Sequence, residues 1–124
     1  MKRDNNIPSE EEFAKASEAL RNRSHGLSET RDEILKKFKD ENIYEFFIFD
    51  VSKTSFKAYV FFRWDWQKKE LSKTKLAVEI EDYIYRQLEH FGRGKRGGLQ
   101  LEIEFDSHEN VVLNYGGDYF SRLR

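Results

Sequence analysis

The chain has 124 residues, 22 basic against 23 acidic for a formal net charge of −1, 15 % aromatic residues and no cysteine. That length suits one domain with a core of its own, and the missing cysteine excludes disulfides and thiolate metal sites. The balanced charge excludes a globally basic nucleic-acid binder, and no apolar run approaches the roughly 18 residues of a membrane-spanning helix.

Residues 1–124 are expected to form a single domain, with 1–8 as a flexible arm. The opening MKRDNNIPSEEEF has no apolar stretch behind its basic residues, so it does not read as a secretory signal. The expectation is a cytoplasmic chain. Ser9 followed by Glu12 forms a capping box, which predicts a helix from Ser9 to Asn22 with a thin stripe of Phe13, Ala16 and Ala19 or Leu20. Gly26 breaks the pattern. Ser28 can cap a second helix, Glu29 to about Glu41, whose buried face is Ile34, Leu35 and Phe38.

From Ile43 the period changes. The run IYEFFIFDV predicts a strand with Tyr44, Phe46 and Ile48 on one face and Ile43, Phe47, Phe49 and Val51 on the other. Two apolar faces predict a central strand. Residues 52–55 read as a hairpin loop, and Phe56 to Trp64 as an antiparallel partner with Phe56, Ala58, Val60 and Phe62 facing one way. Asp65 to Lys75 reads as polar connection. A third helix, about Lys73 to Phe91, carries the stripe Leu76, Ile80, Tyr83, Ile84, Leu88 and Phe91, and Gly92 ends it.

The stretch LQLEIEFD alternates strictly. Leu99, Leu101, Ile103 and Phe105 share one face, and Gln100, Glu102, Glu104 and Asp106 the other. This predicts a half-buried strand with carboxylates roughly 6.5–7 Å apart along it. Residues 107–110 read as a turn, Val111–Tyr115 as a fourth strand returning as a hairpin, and Gly116-Gly117 as a tight turn, after which Tyr119, Phe120 and Leu123 are expected to dock on the core. The order α-α-β-β-α-β-β predicts an α+β fold: an antiparallel sheet of about four strands with helices packed on it.

No catalytic motif stands out. Asp106, Ser107, His108 and Glu109 are residue types used by hydrolases, but no G-x-S-x-G elbow surrounds Ser107. Nothing converges with the carboxylates to complete a metal site, and no motif implies a cofactor. The loop GRGKRGG lacks the P-loop pattern; its Arg93, Lys95 and Arg96 could follow a phosphate backbone, which makes RNA binding or processing the alternative function. The candidate partner-binding set is the acidic row Glu102, Glu104 and Asp106, with His108, Glu109, Tyr115 and Asp118, and the pair Trp64 and Trp66, because tryptophan is enriched at interface centres.

Residues 102–124, EIEFDSHENVVLNYGGDYFSRLR, resemble the C-terminal end of small bacterial immunity proteins of polymorphic toxins, including those of contact-dependent growth inhibition. The likeness lies in an acidic strand ending in F-D, a short S-x-E-N turn, then N-Y-G-G-x-Y-F and a basic end. It implies a non-enzymatic inhibitor that binds a cognate toxin C-terminal domain, often a nuclease, and covers its active site. An acidic strand with aromatic anchors suits the basic surface of such a partner.

Overall fold

The computed structural model of the chain describes residues 25–124; the expected arm 1–8 and helix Ser9–Asn22 lie outside the described residues. Helices are α1 (Leu27–Lys37), α2 (Asp65–Leu71), α3 (Lys75–His90), α4 (His108–Tyr115) and α5 (Tyr119–Arg122), and strands are β1 (Ile43–Asp50), β2 (Ser55–Phe62) and β3 (Gln100–Ser107). Short 3-10 turns occupy Lys39–Glu41 and Arg96–Gly98. The class is α+β, as expected, but among the described residues the sheet has three strands in the order β1-β2-β3 and is mixed. β1 pairs antiparallel with β2, whereas β2 and β3 run parallel.

Two local choices account for the difference from the sequence expectation. First, residues 65–75 are not mere connection. Trp64 N–H donates to the Gln67 side chain at 2.9 Å, and α2 starts there. With α3 it forms the helical crossover that a parallel pair requires. Second, residues 107–110 are the first turn of α4, not a hairpin turn. Ser107 Oγ accepts from the Asn110 N–H at 3.0 Å, an N-cap that commits the chain to a helix. Residues 111–115 therefore make no fourth strand, and Val111 is buried as one face of a helix.

β1 is an edge strand; the central strand is β2. A bulge between Ile43 and Glu45 also changes its alternation. An extra residue in one strand reverses the faces beyond it. Ile43 thus joins Phe46 and Ile48 in the core, while Tyr44 stands exposed. The expected grouping of Tyr44 with Phe46 fails for this reason. β2 follows its alternation: Phe56, Ala58, Val60 and Phe62 are all buried.

The core lies between this face of the sheet and helices α1 and α3, with Ile34 from the first, Phe38 at its C-terminal cap, and Leu76, Ile80, Ile84 and Leu88 from the second. The four α3 residues recur every fourth position, so they form a single stripe. Each fully buried aliphatic or phenyl side chain contributes about 1.5–3 kcal/mol. The N-cap of α1 is Gly26, two residues before the expected cap at Ser28. Gly26 has φ +81°, and a Cβ there would lie 2.5 Å from that of Phe91. Both facts demand glycine. The helix ends earlier than expected because the chain tightens into the 3-10 turn and reverses at Asn42, φ 64°.

Candidate partner-binding surface

The second face of the sheet carries the acidic row. The β2–β3 register sets Lys57 beside Glu102, Tyr59 beside Glu104 and Phe61 beside Asp106. Lys57 Nζ meets Glu102 Oε1 at 2.9 Å, and that hydrogen bond raises the lysine's pKa. α5 folds back over the other two carboxylates. Arg122 donates from Nη2 to Glu104 Oε2 at 2.7 Å and from Nε to Asp106 Oδ2. Burial draws the Arg122 pKa down, but the bonds to Glu104 and Asp106 outweigh it, and the net direction is up. Three carboxylates thus face two cations from the same chain. Glu102 remains the most open, its side chain 74 % exposed.

Asp106 is a buried hub. Besides Arg122 it accepts the Ser107 N–H at 2.8 Å and the Asn110 side-chain amide at 3.1 Å. Ser107, also buried, bonds Asp65 at 3.3 Å as well as capping α4. His108 turns to other partners: its ring stacks on Tyr44 with centroids 3.9 Å apart, and Nδ1 lies 2.7 Å from the Tyr119 hydroxyl. Burial, followed by the nearby Tyr44, Glu45 and Asp106, pushes the Tyr119 pKa up. The hydrolase-like residues of 106–109 therefore act as a clasp that joins β3, α4 and α5. Asp118 caps α5, accepting from the Phe120 N–H at 3.0 Å and the Ser121 hydroxyl at 2.8 Å; the Ser121 bond, above all, holds its carboxyl below the ordinary value.

At the end of the sheet where β2 and β3 finish, α2 and α4 pack together. The Asp65 N–H donates to Glu109 Oε1 at 2.9 Å, and a shallow groove of about 300 Å³ is lined by Asp65, Glu109, Asn110, Leu113 and Asn114. Trp64 and Trp66 flank Asp65 in the chain, and Trp66 is 62 % exposed. Leu113 and Phe120 are exposed by 74 % and 71 %, and Val112 and Tyr115 also face outward. The structure brings Trp64, Trp66 and Glu109 to this end, holds Glu104, Asp106 and His108 in the clasp, and leaves Tyr115 and Asp118 exposed in the turn that joins α4 to α5.

Sequence reasoning missed Leu113 and Phe120, because residues 111–115 were assigned to a strand and Phe120 to the core. The second face also carries an aromatic strip, whose Phe47 and Phe49 share a face in the sequence reading as well. There Phe61 and Phe47 lie 4.8 and 5.6 Å from the Tyr119 ring, and Phe49 lies 6.1 Å from Tyr59. The alternation Lys57-Tyr59-Phe61 was its signal.

The basic loop is largely engaged in the fold. Arg93 donates to the His25 carbonyl at 2.9 Å and lies over Phe56, while Arg96 pairs with Glu81 at 3.0 Å and with Asp82, over the ring of Tyr85. Lys95 is exposed. Among the described residues no group of three or more His, Asp or Glu is placed to hold a metal ion, and no helix is long and apolar enough to cross a membrane. Compared with protein-family models, curated proteins and solved structures, the chain matches none.

Proposed function

We propose that the protein is a binding module of the immunity type, which neutralises a cognate toxin domain by stoichiometric contact and performs no catalysis of its own. The observation that carries this reading is the end of the sheet where α2 and α4 pack together: Trp66 of α2 and Leu113 of α4 stay largely in water although the core is closed. Large apolar side chains grouped at a surface mark interaction sites. Tryptophans beside an acidic groove suit a partner that presents basic and apolar groups together, as a phosphate-gripping nuclease surface does. Asp65 and Glu109 supply the charge, and Trp64 and Trp66 the buried area. In this reading the protein works in the cytoplasm, where such a toxin acts.

The test begins with the genome: this reading expects the gene directly downstream of a large toxin gene, and the C-terminal domain of that toxin is then co-expressed with the protein. Rescue of growth and a 1:1 complex by calorimetry are expected. Trp66→Ala should weaken that complex by about 2 kcal/mol or more, the scale of an interface hot spot. An unchanged affinity in Trp66→Ala and Leu113→Ala alike would refute the assignment of this surface.

A further inference from the structure

The two outer edges of the sheet are treated differently. On β1 the backbone of Phe46 points away from β2, and the chain seals it. The Phe46 carbonyl accepts from Arg31 Nε at 2.8 Å, the Phe46 N–H donates to the Glu45 carboxylate at 3.1 Å, and Arg31 and Glu45 pair with each other. Covering an edge with charged side chains blocks the addition of another strand.

Among the described residues the outer edge of β3 has no such seal. The Gln100 N–H donates inward to Thr54 O at 2.8 Å, so by alternation Gln100, Glu102, Glu104 and Asp106 bond β2. Leu101, Ile103 and Phe105 then direct their N–H and C=O groups outward, and among the described residues no hydrogen bond reaches them. The open stretch ends at Ser107, whose N–H is taken by Asp106. The side chains of Leu101, Ile103 and Phe105 are only half buried. On the opposite face stand Glu102 and Glu104, with Lys57 and Arg122 leaving the Glu102–Glu104–Asp106 row one negative charge in excess.

We infer that the β3 edge at Leu101–Phe105 is a strand-addition site for an extended partner segment that alternates basic with apolar residues. Main-chain bonds to Leu101, Ile103 and Phe105 hold the segment. Its cations meet Glu102 and Glu104, and its apolar side chains extend the face formed by Leu101, Ile103 and Phe105. A second copy of this chain is the wrong occupant. Pairing β3 with itself, in either direction, brings Glu102 and Glu104 against glutamates of the other copy, and like charges on neighbouring strands repel.

The test uses the full chain and a blocked octapeptide alternating lysine with valine, so it needs no toxin, and failure of the immunity reading leaves it untouched. Amide exchange of Ile103 and Phe105 should be faster than that of Glu102 and Glu104 in the free protein, and should slow on adding the peptide at 1 mM. A peptide N-methylated on the backbone nitrogens that face the edge should give no slowing, and a glutamate–valine peptide none. Glu102→Gln, an exposed change, should weaken lysine-peptide binding about two- to fivefold, the worth of one exposed charge pair. Ile103→Pro should remove binding while far-UV circular dichroism stays native, since the N–H it lacks faces away from β2. The inference is overturned if Ile103 and Phe105 are already as protected as their neighbours, if the lysine peptide gives no slowing, if the N-methylated peptide protects equally, or if sedimentation shows a dimer that Ile103→Pro abolishes.

Discussion

Replacing Asp106 by alanine tests the clasp that holds the C-terminal helices to the sheet. The carboxylate is buried and accepts from the Ser107 N–H, the Asn110 amide and Arg122 Nε. A hydrogen bond to a charged group is worth about 1.5–3 kcal/mol. The terms do not add, and removing one partner of a buried ion pair costs about 3–5 kcal/mol in all. Arg122 keeps Glu104, a half-buried partner, which draws the expected loss for Asp106→Ala to the lower end, about 3 kcal/mol. Arg122→Met should cost less, because Asp106 retains Ser107 and Asn110. The double variant should show a coupling of about 2 kcal/mol. Urea unfolding followed by tryptophan fluorescence and circular dichroism measures each value, with the denaturant slope unchanged. A loss below about 1 kcal/mol for Asp106→Ala, or additivity of the two variants within about 0.5 kcal/mol, would refute the clasp.

Gly26→Ala should destabilise by about 2 kcal/mol or more, because alanine is strained at φ +81° and its methyl would meet Phe91; a melting temperature within a degree of the parent would contradict this. Ile84→Ala, at a fully buried position on α3, should cost about 2–5 kcal/mol in the same urea assay. The folded-state pKa of Tyr119 lies above its ordinary value of 10.0, so its contribution to stability is complete below pH 10 and is lost as pH rises beyond it. Alkaline unfolding above pH 10 should accordingly be gentler in Tyr119→Phe, with tyrosinate absorbance at 295 nm as the second readout. Arg31→Ala should expose the Phe46 backbone and promote concentration-dependent self-association by light scattering, while an equally monodisperse variant would show that the seal is idle.

The elements that could be read from the sequence were those with a repeated period. The α3 stripe Leu76-Ile80-Ile84-Leu88 and the alternation of β2 and β3 survive in the fold because burial enforces them at every turn or pleat. The topology was not legible. Whether β3 pairs antiparallel or parallel depends on whether the segment before it crosses the sheet, and that rested on the Trp64–Gln67 cap, a contact no period announces. The fate of residues 111–115 rested on Ser107, which serves equally well as a turn residue or an N-cap. In the candidate site, the acidic row was visible, whereas its neutralisation by Arg122 from α5 required the tail's direction of return. The exposed positions Leu113 and Phe120 became recognisable only once α4 and α5 were helices.

The central place of β2 makes this strand a recorder of folding order. Its alternate residues answer to different neighbours. Ser55 O accepts from Val51 N–H and Thr54 O from Gln100 N–H, so Lys57, Tyr59 and Phe61 belong to the β1 ladder and Ala58, Val60 and Phe62 to the β3 ladder. The first ladder closes a short local loop. The second waits for the whole α2–α3 crossover, and contacts of greater sequence separation form more slowly. In a pulse-labelling experiment during refolding, adjacent amides on a single strand would then gain protection at two different times, odd-numbered before even-numbered, dating the hairpin and the crossover separately.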